Sequence, residues 1–439
     1  MVMDGSARRT RWWTRVSLAL ALGGWLNAVM AEVFHAGPDD YLLQLRRLEP
    51  GDRLQLAPGH YRHGLSIHRV HGAPGRPIVI AGPTGDDPAV FVARPDRNVV
   101  SIADASYVTV RDLEIDGRGA FVDGVKAEGY ATSAHHITLE NLYIHDLVDN
   151  QQSVGISTKC PAWDWVIRSN RIERVGTGMY FGDSDGSDPF VGGLIEHNHV
   201  VDTIGYSLQV KHQRPRPAVA GIPAEPRRTI IRRNLFVKQR GASTGPMARP
   251  NVLVGHWPLQ GPGKDDEYLV YGNVFFQNPS EALFQGEGNI ALYDNLFFDE
   301  HANRFPAVAI QPHNDIPRRV RIFFNTVVKP EMGIRVLRDT ERAVEGQDLI
   351  GNAVFAAAPL QGGWQSDNVT APYAKAAAFL RRPYAPLSDL DLAPLPGRLR
   401  GPTIDLGPFD DLPDHDRDFA GRLRTGDYRG AHAASDLDP

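Results

Sequence analysis

The chain has 439 residues, 42% hydrophobic and 23% charged, a balance that excludes disorder over most of its length and allows a large core. Lys+Arg 47 against Asp+Glu 52 leaves a net charge of −5, so no global basic field points to nucleic acid. One cysteine, Cys160, excludes an internal disulfide and a cysteine-based zinc cluster, while Gly 43 and Pro 33 indicate many turns and few long helices.

In chain order, the first element is an address. Arg8, Arg9, Arg11 and Arg15 precede a mostly apolar run, Val16 to Val29, and Val29-Met30-Ala31 has the small residues of a cleavage site. Residues 1–31 are therefore read as a cleaved signal peptide. The run is short for a membrane span of ~20 residues, so the expectation is a secreted or periplasmic monomer, off the membrane once cleaved. Without these residues the net charge is −8.

From about Leu54 the sequence becomes short β-branched segments closed by Asn, Gly or Asp. Ile137-Thr-Leu-Glu-Asn141-Leu-Tyr-Ile, Val166-Ile-Arg-Ser-Asn170-Arg-Ile and Leu194-Ile-Glu-His-Asn198-His-Val share one pattern, which returns around Asn234, Asn273, Asn295, Asn325 and Asn352. The asparagines are 29, 28, 36, 39, 22, 30 and 27 residues apart, a period of 22 with insertions, as in a solenoid. Each Asn is placed at a bend between two strands, in the left-handed conformation it tolerates, with side-chain amides bonding from coil to coil. The pattern reads as an all-β solenoid of stacked coils with an internal Asn ladder. Residues 371–380 are Ala-rich and read as a short helix. The whole of 366–439 is a Pro/Asp-rich tail packing on the helix.

These repeats resemble the right-handed parallel β-helix proteins of the pectin-lyase-like superfamily, and the resemblance implies an all-β, single-stranded right-handed parallel β-helix over residues 32–365. Pro50-Gly51-Asp52-Arg53-Leu54, Ala57-Pro58-Gly59-His60-Tyr61 and Gly75-Arg76-Pro77-Ile78-Val79-Ile80 are similar to the opening coils of chondroitinase B and the alginate lyases of polysaccharide lyase family six. Phe419, Gly421, Arg422 and Gly430-Ala431 resemble the closing segment of such helices. The resemblance implies a Lys base, an Arg partner and, in many members, Ca²⁺; it carries over to Lys211 in Gln209-Val-Lys211-His212-Gln213. Gln311-Pro-His313-Asn-Asp315 is similar to a segment of alginate C5-epimerases.

Strand ends following each Asn segment carry the candidate chemistry. Taken as successive coils, Thr158-Lys159, Phe181-Gly182-Asp183, Val210-Lys211-His212, Val254-Gly255-His256, Phe284-Gln285-Gly286-Glu287 and Ile310-Gln311-Pro312-His313 place Lys211, Gln285 and Gln311 in one outward column. Lys211, His212, His256, His313 and Glu287 are the candidate acid–base groups. Arg214, Arg249, Trp257, Gln209, Gln285, Gln311 and Lys159 are candidate substrate contacts, with Trp257 either a sugar-stacking face or a core cap. Between Lys211 and Arg240 there are nine Lys/Arg and one acid, Glu225, a patch suited to an acidic glycan or to solvent. Asp183-Ser-Asp185-Gly-Ser-Asp188 offers a candidate Ca²⁺ site or an acidic turn; no cofactor is otherwise required. The expected function is an exported polysaccharide lyase cleaving a uronic-acid polymer by β-elimination. A glycoside hydrolase, a C5-epimerase and a non-catalytic polysaccharide-binding protein remain alternatives.

Overall fold

The computed structural model describes residues 31–129, 132–148, 150–313, 316–337 and 346–433. Residues 1–30 of the signal-peptide reading, which runs to Ala31, and Asp315 of the epimerase-like segment lie outside them. Among the described residues, no helix is long and apolar enough to cross a membrane.

The chain is a right-handed parallel β-helix. Each coil contributes one strand to each of three sheets, which hold 15, 12 and 11 strands and are called here the first, second and third sheet in the order a coil visits them. One coil illustrates the path: Val166–Arg168 in the first sheet, Arg171–Glu173 in the second and Thr177–Phe181 in the third. Every pairing between coils is parallel, for example Arg171↔His199, Ile172↔Val200, Glu173↔Val201. Alternation sends Ile172, Val200, Phe236, Phe275 and Phe297 into the lumen, where successive rings stack (Phe275–Phe297, 4.5 Å between centroids). The N-terminal opening is closed by the helix Tyr41–Leu45, whose Tyr41 meets Tyr61 and Phe91 edge-on.

The Asn ladder exists, displaced by one rung and one residue from expectation. Side-chain amides run Asn170→Asn198→Asn234→Asn273→Asn295→Asn325→Asn352→Asn368 at 2.9–3.0 Å, all between the first and second sheets. Each Oδ1 also accepts the backbone N–H of the preceding rung. The left-handed residue is the one before each rung: Ser169, His197, Arg233, Gly272, Asp294, Phe324, Gly351 and Asp367 all have φ between 52° and 65°. Asn141 occupies that outward position itself (φ 52°) and donates to Asp112 Oδ1, while buried Leu142 takes the rung site. A ladder Asn is thus chosen for its two-sided amide, and the strained φ is borne by its neighbour, whose side chain points away from the lumen.

The expected helix at 371–380 is a 3₁₀ turn, Tyr373–Ala378. The following segment forms an antiparallel pair, Leu380–Arg382 with Asp391–Pro394, and then returns along the bend between the first and second sheets. Phe409 stacks on Phe323 at 4.0 Å, Arg424 pairs with Asp294, and Gly430 N–H donates to Gly351 O.

Candidate functional site

The outer face of the third sheet carries the candidate residues, in a register that differs from the sequence alignment. Val210 pairs across to Val254, Gly286 and Ile310 in successive coils. The next column is therefore Lys159, Gly182, Lys211, Gly255, Glu287, Gln311. Gln285 belongs two residues earlier, with Gln209 and Leu253, because Phe284 aligns with Val252 rather than with Val210. Lys211 and Gln311 share a column; Gln285 does not join them.

The glycines in that column have a purpose. A Cβ on Gly255 would lie 2.3 Å from the His212 backbone nitrogen, and one on Gly182 would lie 3.2 Å from Lys211 Cβ. With Gly255 bare, His212 and His256 stack face to face, centroids 5.2 Å apart and 12° between planes. His256 Nδ1 lies 3.5 Å from Glu287 Oε1, and Glu287 Oε2 accepts the His313 backbone N–H at 2.9 Å. His313 thus reaches the cluster through its backbone. The turn at Gly186 packs on His212, and Gly186 O accepts Arg214 N–H at 2.9 Å.

Electrostatics single out the lysines. Burial lowers the Lys211 pKa, with the Asp183 carboxylate opposing the shift. Burial brings Lys159 down to about 8, although Asp123 nearby favours its charged form. Burial also lowers His212, helped by His256 and Lys211. His212 Nδ1 is buried without a hydrogen-bond partner among the described residues. Lys159 donates to Gly182 O at 2.9 Å and its ammonium sits 3.6 Å over the Tyr180 ring.

Beside Lys159 lies a cleft of about 290 Å³ that sequence reasoning missed, lined by Asp123, Lys126, Tyr180, Asp183 and Tyr206 among others. Ser157 donates to Asp123 at 2.8 Å, and Lys126 stands 3.8 Å from the same carboxylate. The alternating strand Val125-Lys-Ala-Glu128 was the available signal: it pairs with 156–159 and carries Lys126 outward.

Other candidates are placed differently. Trp257 is 1% exposed and stacks on Tyr268 at 4.2 Å, so it caps the core and offers no face to a sugar. Arg249 bonds Pro246 O and Ala248 O and lies 6.0 Å from the Tyr206 ring, at the edge of the cleft. Gln311 accepts from Arg335 at 3.1 Å, and Gln209 is buried. The basic stretch is largely spent on internal pairs: Arg216 with Asp266, Arg227 with Asp164, Arg228 with Asp411, Arg232 with Glu196, and Lys238 with backbone carbonyls in the interior. Arg214 remains exposed, 3.6 Å from Asp185. Asp183 and Asp185 accept from Ser187 and Asp188 within their own turn. Among the described residues, the metal-competent trio is instead Asp116, His145 and Asp146. There Arg174 and Arg118 already occupy the two aspartates.

No family model matches the chain, and no curated protein does. Solved structures similar to it include an alginate lyase from Paenibacillus sp. str. FPU-7 (14% identity, TM-score 0.37, 78% of this chain and 98% of that one). The pectate lyase Pel9A (15%, 0.44, 93% and 92%) and the A-module of the Azotobacter vinelandii mannuronan C-5 epimerase AlgE6 (16%, 0.44, 73% and 91%) are also among them. At these identities the likeness is one of fold.

Proposed function

We propose that the chain is a carbohydrate-active enzyme that cleaves an acidic polysaccharide by β-elimination along the outer face of the third sheet. The supporting observation is Lys211: a lysine whose pKa burial lowers, on a rigid strand, flanked by the His212–His256 stack and two column positions from Glu287, with Gly255 between. Removing the C5 proton of a uronate requires a base neutral near physiological pH and cations on the carboxylate. In this reading Lys211 Nζ takes the proton. Lys159 and Lys126, in the neighbouring cleft, face the carboxylate, and His256, held by Glu287, protonates the departing glycosidic oxygen. The bond broken is C4–O4, and the electron pair from C5–H forms the C4=C5 double bond.

The test is ultraviolet absorbance of the unsaturated product when the chain from Glu32 meets alginate, pectate, chondroitin sulfate, dermatan sulfate and glucuronan, with and without Ca²⁺. Absorbance that rises with one polymer and is lost in Lys211→Ala supports the reading. New reducing ends without absorbance would replace it with hydrolysis. Inverted C5 configuration without cleavage would keep the base and make the enzyme an epimerase.

A further inference from the structure

The first sheet carries an unusual feature on its own outer face, apart from the column of the third sheet. In a strand, consecutive side chains alternate faces. His135 and His136 break that rule because His136 is left-handed (φ 53°), as are Tyr107 and Asp164 at the matching points of the neighbouring coils. The register skips accordingly, from His135↔Ser106 to Ile137↔Val108. Both imidazoles therefore turn outward, and their Nδ1 atoms converge to 2.8 Å.

Each ring is held on its far side. His135 stacks on buried Trp163 (4.4 Å, 11°), and His136 stacks on Tyr107 (4.3 Å, 25°). His136 Nε2 lies 3.5 Å from Asp164 Oδ2, whose other oxygen is bound by Arg227. His71 stands on the same outward side, with small Ser106 between it and His135 and its Nδ1 3.1 Å from Ser106 Oγ. Burial around the His135 ring disfavours its charged form.

We propose that His135 Nδ1 and His136 Nδ1 form a binding site for a borderline divalent transition metal of the Zn²⁺, Ni²⁺ or Cu²⁺ class, with Asp164 orienting His136 from behind. Two convergent neutral imidazole nitrogens suit such ions and are poor ligands for Ca²⁺ or Mg²⁺. The Asp164 carboxylate, 3.5 Å behind His136 Nε2, favours the proton on that nitrogen and leaves Nδ1 bare, the arrangement that fixes a ligating tautomer. In that tautomer His135 Nδ1–H is the donor of the 2.8 Å contact, and moving this proton to His135 Nε2 frees both Nδ1 atoms, so the metal enters without net proton release. The site is independent of the polysaccharide reading and lies on a different sheet.

The experiment uses tag-free chain from Glu32, dialysed against chelator, then titrated with Zn²⁺ by calorimetry and with Co²⁺ by visible absorbance. The expected result is one equivalent bound, weakened at least about tenfold by His135→Ala or His136→Gln and about tenfold by Asp164→Asn. His199→Ala, on the second sheet, should leave it unchanged. Imidazole ¹H–¹⁵N spectra of the unsubstituted chain give a second reading that needs no variant: Zn²⁺ should displace the Nδ1 signals of two rings. Absence of binding, or binding that both histidine substitutions leave within twofold, overturns the site.

Discussion

At Lys211 the candidate chemistry reduces to one proton. A lysine acts as base only when neutral, so turnover should rise with pH through its pKa, which burial holds below the ordinary lysine range. Asp183 favours the charged form and so keeps that pKa from falling further. Asp183→Asn should therefore move the acidic limb of the kcat profile to lower pH, and a limb that stays in place would remove Lys211 from the role of base. Trp257 belongs to a different ledger. Buried against Tyr268, it should cost about 3–5 kcal/mol of stability as Trp257→Ala, read as a fall in chemical-denaturation midpoint. Lys211 and His212 were legible because polar residues end an apolar strand. The environments of Trp257 and Arg216 were not, since their partners Tyr268 and Asp266 come from other turns of the solenoid.

At the scale of the repeated bend, sequence identifies the motif and misplaces its mechanics. The Asn spacing is visible because the ladder needs an amide at one position of nearly every coil, and Asn alone both donates and accepts at that reach. Asn141 fits the spacing yet sits on the solvent side, because the bend offers two adjacent positions and Asn is favoured at both for different reasons. Asn234 accepts from Asn198 and donates to Asn273 and to Ile195 O. Asn234→Ala leaves buried donors of Asn198 unmet and should cost about 3 kcal/mol, whereas Asn141→Ala should cost no more than about 1 kcal/mol. Equal thermal shifts in the two variants would contradict the ladder register. The site register failed for a related reason: insertions of unequal length between coils hide a two-residue offset, and hydrogen-bond pairing resolves it, placing Phe284 opposite Val252.

Across the whole molecule, the three sheets divide the labour. The third sheet holds the proposed acid–base site, the first holds the paired imidazoles, and the tail seals the bend between the first and second. What the tail reads at that bend is the row of left-handed positions: Asp294, Phe324, Gly351 and Asp367 meet Arg424, Gly430 and Arg429. The side chains forced outward by the ladder thus become the docking surface for the chain's own end. Arg424 is fully buried, donates to Asp294 and also to Gly430 O and Ala431 O, and lies 4.0 Å over the Phe324 ring. Arg424→Ala strands a buried carboxylate and should cost about 3–5 kcal/mol, while Asp294→Asn with Arg424→Met removes both charges and should recover part of that loss. Because the tail makes its contacts on the bend and on the outer faces of the first and second sheets, away from the third, the loss should appear as proteolytic release of residues 399–433 and a lower Tm, with kcat on the responsive polymer retained. A kcat that falls in step with tail release would mean that the groove on the third sheet depends on the tail, and that the solenoid transmits strain across its lumen.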